Sequence, residues 1–80
     1  MGVKDAVVLR FREIMAQRGL RANALANLSG LTPSTVYSML DGRRGEVTIN
    51  LIKKLCDGLD MTLGEFFNAP IFDELEQEIK

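Results

Sequence analysis

Along the first eighteen positions apolar residues return at three- and four-residue steps. Val7, Val8, Phe11, Ile14 and Met15 fall on one stripe of a helix from Val3 to Arg18, which Gly19 ends. Leu9 lies off that stripe. Arg21 to Ser29 carries Leu25, Ala26 and Leu28 in a helix of about two turns, stopped by Gly30, which can take the positive backbone angle of a tight exit. Thr32-Pro33 opens a third helix: the hydroxyl can cap free amides, and proline at the first helical position loses no needed hydrogen bond. That helix runs to Leu40, before Asp41-Gly42. It turns Val36, Met39 and Leu40 inward and Ser34, Thr35, Tyr37, Ser38 and Asp41 outward.

The second half repeats the logic. Thr48 caps a fourth helix with Ile49, Ile52, Leu55, Cys56 and Leu59 as its buried side. Thr62-Leu63-Gly64-Glu65 reads as a capping box that opens a fifth, and Phe66 and Phe67 add bulk to the core. Pro70 restarts the chain, and Ile71, Leu75 and Ile79 stand four apart on an acidic helix. No strand signal or repeat interrupts this. The fold class predicted is all-α, a compact five-helix bundle over residues 1–69, with residues 70–80 as an acidic amphipathic tail that either dimerises or caps the bundle.

At 80 residues, 46% of them hydrophobic and 26% charged, the chain reads as one ordinary globular domain. It has neither an apolar run of membrane-spanning length nor the pattern of a signal peptide, so a cytoplasmic location away from membranes is expected. The single cysteine, Cys56, lies in a helical apolar pattern and the chain has no histidine, so core packing is its expected role. The lack of histidine, of a metal-ligand cluster and of a glycine-rich phosphate loop argues against an enzyme, and no cofactor, metal or small-molecule effector is expected. The net charge of −1 is low for a chain that binds polyanions. Four acids (Asp73, Glu74, Glu76, Glu78) crowd the last eight residues, however, whereas Arg10, Arg12, Arg18, Arg21, Arg43 and Arg44 lie in the first 44, which leaves the front half locally basic.

A short helix, a turn holding a glycine and a second helix with an apolar inner face describe a helix-turn-helix, and segment 21–40 has that arrangement. Ala26 is small enough for the helices to cross closely, Gly30 makes the turn, and Leu31 and Val36 fill the space beneath. From Phe11 to Phe67 the chain resembles the Cro- and phage-repressor-like (XRE) family. The matches are Gly19-Leu20, Leu25-Ala26, Gly30-Leu31-Thr32, Ser34-Thr35-Val36, Asp41-Gly42-Arg43 and Val47-Thr48-Ile49 through Leu59 and Leu63.

The resemblance implies a five-helix bundle whose third helix enters the major groove of double-stranded DNA. It implies that Pro33, Ser34, Thr35 and Ser38, flanked by Tyr37, face base edges, and that Arg21, Asn23, Arg43 and Arg44 grip the backbone. The outward position of these side chains near the start of helix three agrees with base contact, and serine and threonine hydroxyls both donate and accept. Three departures stand out. Ala22 replaces a glutamine common in the family, Met15 and Leu40 replace an arginine–glutamate pair and should touch across helices one and three, and Val47 replaces a proline. A sequence-specific transcriptional regulator, most simply a repressor, is the leading function. The alternative is a protein-interaction module or antitoxin that uses the same bundle mainly to hold a protein partner. Short reading side chains offer few contacts, so a homodimer on a two-fold site is expected, assembled at least partly through Ile71, Phe72, Leu75 and Ile79.

Overall fold

The computed structural model describes residues 1–42 and 45–79. Six helices are found among them: α1 (Val3–Arg18), α2 (Ala22–Leu28), α3 (Pro33–Leu40), α4 (Ile49–Gly58), α5 (Leu63–Phe67) and α6 (Pro70–Asp73). The all-helical class and the order of elements are as the periodicity predicts.

Each of the first helices ends where its sequence directs. Gly19 takes φ +64°, with Leu20 N–H bonding back to the Met15 carbonyl at 2.9 Å, which satisfies carbonyls left open at the end of α1. Gly30 takes φ +67° between α2 and α3, where a side chain would be strained, and Leu31 N–H returns to the Ala26 carbonyl at 2.9 Å. Thr48 Oγ1 accepts from Leu51 N–H at 3.1 Å and starts α4. The capping box at α5 is complete: Glu65 N–H donates to Thr62 Oγ1 at 3.0 Å, and Thr62 N–H to Glu65 Oε1 at 2.9 Å.

The core draws on the first five helices: Val7, Phe11, Ile14 and Met15 from α1, Leu25 and Ala26 from α2, Val36, Met39 and Leu40 from α3, Leu51, Ile52, Leu55 and Cys56 from α4, and Phe66 from α5. Leu9, off the stripe in sequence, is exposed. Burial raises the Cys56 thiol pKa, with neighbouring Asp57 adding to the effect, so the thiol stays protonated and packs as an apolar group. Phe66 anchors an aromatic cluster, with ring centroids 4.4 Å from Phe11, 5.0 Å from Phe67 and 5.9 Å from Phe72.

Three expectations are corrected. Ile49, at the edge of the inward stripe of α4, is exposed beside Val3 and Val47, and Leu51 takes its place in the core. The Thr32 hydroxyl does not cap α3; it bonds the side-chain hydroxyls of Ser34 and Thr35 instead. The helix expected through Ile79 stops at Asp73, and Ile79 is fully solvated. Like charges three and four residues apart (Asp73 and Glu76, Glu74 and Glu78) oppose that helix, and a segment of this length gains too little to hold alone. The stripe of Ile71, Phe72, Leu75 and Ile79 is therefore not presented as one face: Phe72 packs on Phe66 and Phe67 of its own bundle.

Candidate nucleic-acid interface

The face in question is built by α2 and α3, which cross around fully buried Ala26 with Leu31 and Val36 beneath the turn. Burial of Val36, Met39 and Leu40 fixes the rotation of α3 about its axis. The positions between them must then point away from the core. Pro33, Ser34 and Tyr37 are exposed, and Thr35 and Ser38 are half-buried at the margin of the same surface. Ser34 and Ser38 are one turn apart, as are Thr35 and Ser38, so three hydroxyls share one strip.

At the start of that strip the hydroxyls are linked. Thr32 Oγ1 lies 3.2 Å from Ser34 Oγ and 2.9 Å from Thr35 Oγ1. A hydroxyl held this way has fewer rotamers to lose when it meets a polar partner. The Thr32 carbonyl takes the Thr35 N–H at 3.1 Å, so the first turn of α3 closes through the backbone and leaves the hydroxyls to one another.

Arg21 and Asn23 are exposed at the start of α2, Arg21 as the extended residue immediately before the helix. Ala22 between them is buried, so nothing at this position reaches outward. Arg43 and Arg44 lie outside the described residues.

The structure changes the meaning of the basic front half. Three of its six arginines, all on α1, are bound to main-chain carbonyls at the ends of other helices. Arg10 donates from Nε to the Phe66 carbonyl at 2.8 Å and from Nη2 to the Glu65 carbonyl at 3.1 Å. Arg12 Nη2 donates to the Leu40 carbonyl at 2.8 Å, and Arg18 Nη1 to the Leu59 carbonyl. Each cation sits where carbonyls lack intrahelical partners and where the helix dipole is negative. Residue spacing alone cannot reveal these roles, because each joins residues at least 28 apart in sequence. The one available signal is the departure at Met15 and Leu40, where the family resemblance implies an arginine–glutamate pair.

No group of three or more histidine, cysteine, aspartate or glutamate residues able to hold a metal ion occurs among the described residues. No helix among them is long and apolar enough to cross a membrane.

Two helices crossing on a small residue, a glycine turn and a second helix with a polar outer face form a helix-turn-helix within a compact helical bundle. A model of the Cro/C1-type helix-turn-helix DNA-binding domain matches residues 10–70, and the chain belongs to that family. The family is one of DNA-binding domains rather than a class of enzymes. No curated protein and no solved structure matches the chain.

Proposed function

We propose that the protein is a sequence-specific transcriptional regulator, acting as a repressor, that lays α3 in the major groove of double-stranded DNA. The observation that carries this reading is the strip of linked hydroxyls on the exposed side of α3. In the proposed complex Pro33, Ser34, Thr35, Tyr37 and Ser38 meet base edges, while Arg21, Asn23, Arg43 and Arg44 hold phosphates. Residues 1–69 form the DNA-binding unit and residues 70–80 an acidic tail that stays clear of the phosphates, with the whole acting in the cytoplasm.

The regulator acts as a homodimer, because short hydroxyl side chains give one domain few base contacts and a two-fold site doubles them. Support for a self-docking face comes from a groove of about 380 Å³ floored by Val7, Ile52 and Phe67, with exposed Val3 and Ile49 on its rim. The same patch thus offers both a hollow and a projection, and it carries Lys4 and Glu46. A two-fold contact needs these features, since each copy must present the complement of itself. A net charge of −1 puts little repulsion between copies. In the bound dimer the α3 helices stand about 34 Å apart on an inverted repeat. Sedimentation at micromolar concentration checks this: a dimer that Ile49→Arg converts to a monomer is expected, and a monomeric wild type rules it out.

A second reading, a module or antitoxin that chiefly binds a protein, draws support from the burial of Ala22 and from the three arginines already engaged with carbonyls. A salt titration of binding to a duplex selected from random DNA separates the two. The expected result for a DNA reader is a steep loss of affinity with salt. Ser38→Ala should then change the sequence preference, whereas Arg43→Ala should weaken all duplexes alike and lower the salt slope by roughly one unit. Binding that both substitutions leave untouched defeats the groove assignment.

A further inference from the structure

We propose that Arg12 is a positioning residue for DNA recognition: it fixes the orientation of α3 through its hydrogen bond to the Leu40 carbonyl and makes no contact with DNA itself. The inference rests on α3 being the base-reading helix, and it names what holds that helix in place.

Leu40 is the last residue of α3. The N–H of Asp41 returns to the Tyr37 carbonyl at 2.8 Å and that of Gly42 to the Met39 carbonyl at 3.2 Å, which satisfies two of the carbonyls left open at this end. The Leu40 carbonyl takes its partner from across the bundle, at 2.8 Å from Arg12 Nη2. The donor is charged and lies at the negative end of the helix dipole, both of which strengthen the bond.

What surrounds this bond gives it its role. Around it the packing is apolar: Met15 and Leu40, each 8% exposed, belong to the same buried core as Phe11, Val36 and Met39. Apolar contact is non-directional, and methionine is the most adaptable of apolar side chains. Burial of Val36, Met39 and Leu40 sets which face of α3 turns inward, while non-directional contacts of this kind do little to resist a small displacement of the end of the helix. Directional hydrogen bonds to the end of α3 supply that constraint: the one from Arg12 to the Leu40 carbonyl at 2.8 Å and a longer one, 3.4 Å, from Lys4 Nζ to the Gly42 carbonyl just beyond the helix. A small displacement of the end of α3 would carry Ser34, Thr35 and Ser38 off the line of the base edges, so loss of the Arg12 bond should degrade selectivity before affinity. Arg18 makes the same kind of bond to the Leu59 carbonyl, beyond the end of α4, which carries no reading residue. It is the natural control.

The test compares a duplex selected from random DNA by the wild-type chain with a shuffled duplex of equal length, over a range of salt, well below each variant's melting temperature. Arg12→Met is expected to lower the ratio of the two affinities roughly tenfold, the loss of about one charged hydrogen bond. Its affinity for the shuffled duplex and its salt slope should stay as in the wild type. Arg12→Lys keeps a cationic donor and should recover most of the ratio, whereas Arg18→Met should lower the melting temperature and leave the ratio alone. A salt slope lower by roughly one unit in Arg12→Met would make Arg12 a phosphate contact and overturn the proposal. So would an equal loss of selectivity in Arg18→Met, which would mark general loosening of the bundle. A wild type that does not tell the two duplexes apart removes the base-reading assignment, and the positioning role with it.

Discussion

Helix α1 grips its neighbours by different means on its two sides. Toward α5 and α6 it meets an aromatic cluster: Phe11 stacks at 4.4 Å on Phe66, which in turn contacts Phe67 and Phe72. Arg10 reinforces that side with two carbonyl bonds and lies 5.9 Å over the Phe66 ring. Toward the end of α3 it offers hydrogen bonds from long cationic side chains, Arg12 Nη2 to the Leu40 carbonyl at 2.8 Å and Lys4 Nζ to the Gly42 carbonyl at 3.4 Å. The α5 side rests on packed rings, and the α3 side on hydrogen bonds from flexible stems. Ring packing tolerates little displacement, whereas a bond from a flexible stem can follow one.

The comparison is broken most forcefully at Phe66. Its ring is fully buried, and Phe66→Ala should cost about 3–5 kcal/mol in denaturant unfolding through lost burial and the cavity left behind. For a bundle of this size that is a large part of the whole stability. A loss below 1 kcal/mol would mean that the cluster is loosely packed.

Leu40→Ala should cost less, about 2 kcal/mol, at the lower end of the range for buried leucine, because a residue at the rim leaves a site that can collapse. In DNA binding the order should reverse. Measured well below the melting temperature, Leu40→Ala should reduce selectivity while Phe66→Ala preserves it, and the opposite ranking would sink the division between the two sides of α1.

The smallest effect concerns pH at the capping box. Hydrogen bonds from the Thr62 backbone, and then from its side chain, hold the Glu65 pKa below its ordinary 4.5. A carboxylate depressed in the folded state adds stability that is present above its unfolded pKa and is lost as pH falls through the folded value. Unfolding followed from pH 6 to pH 3 should therefore show a small loss below about pH 4.5 that is absent in Glu65→Gln, whose amide oxygen still accepts the Thr62 N–H without titrating. Identical profiles would show that the bond does not discriminate between charged and neutral acceptors.

Much of this architecture is determined by local chemistry and so is legible in the sequence. Period, caps and breakers set the bounds of α1 through α5, because each depends on residues within a turn of one another. The outward face of α3 follows from its inward one. The sequence of residues 70–80 shows a period of four but not the burial that would sustain it, and the tail is helical only through Asp73. Ile49 likewise satisfies the period of α4 and is exposed, since a period assigns a face and cannot say how far the neighbouring helix reaches.

Tertiary structure alone decided where the long side chains go. In the sequence the three arginines of α1 count only toward a locally basic front half, and the fold turns all three onto carbonyls between 28 and 56 residues away. Gly58 shows the same division. Its sequence context marks only the end of a helix, yet a Cβ there would come within 2.2 Å of Ser29 Oγ, so its smallness is what lets α4 lie against the end of α2. The physical reason is range: caps and periods act through neighbours that the chain itself supplies. A guanidinium on a flexible stem, or the absence of a methyl group, acquires its meaning only from whatever the folded chain brings against it.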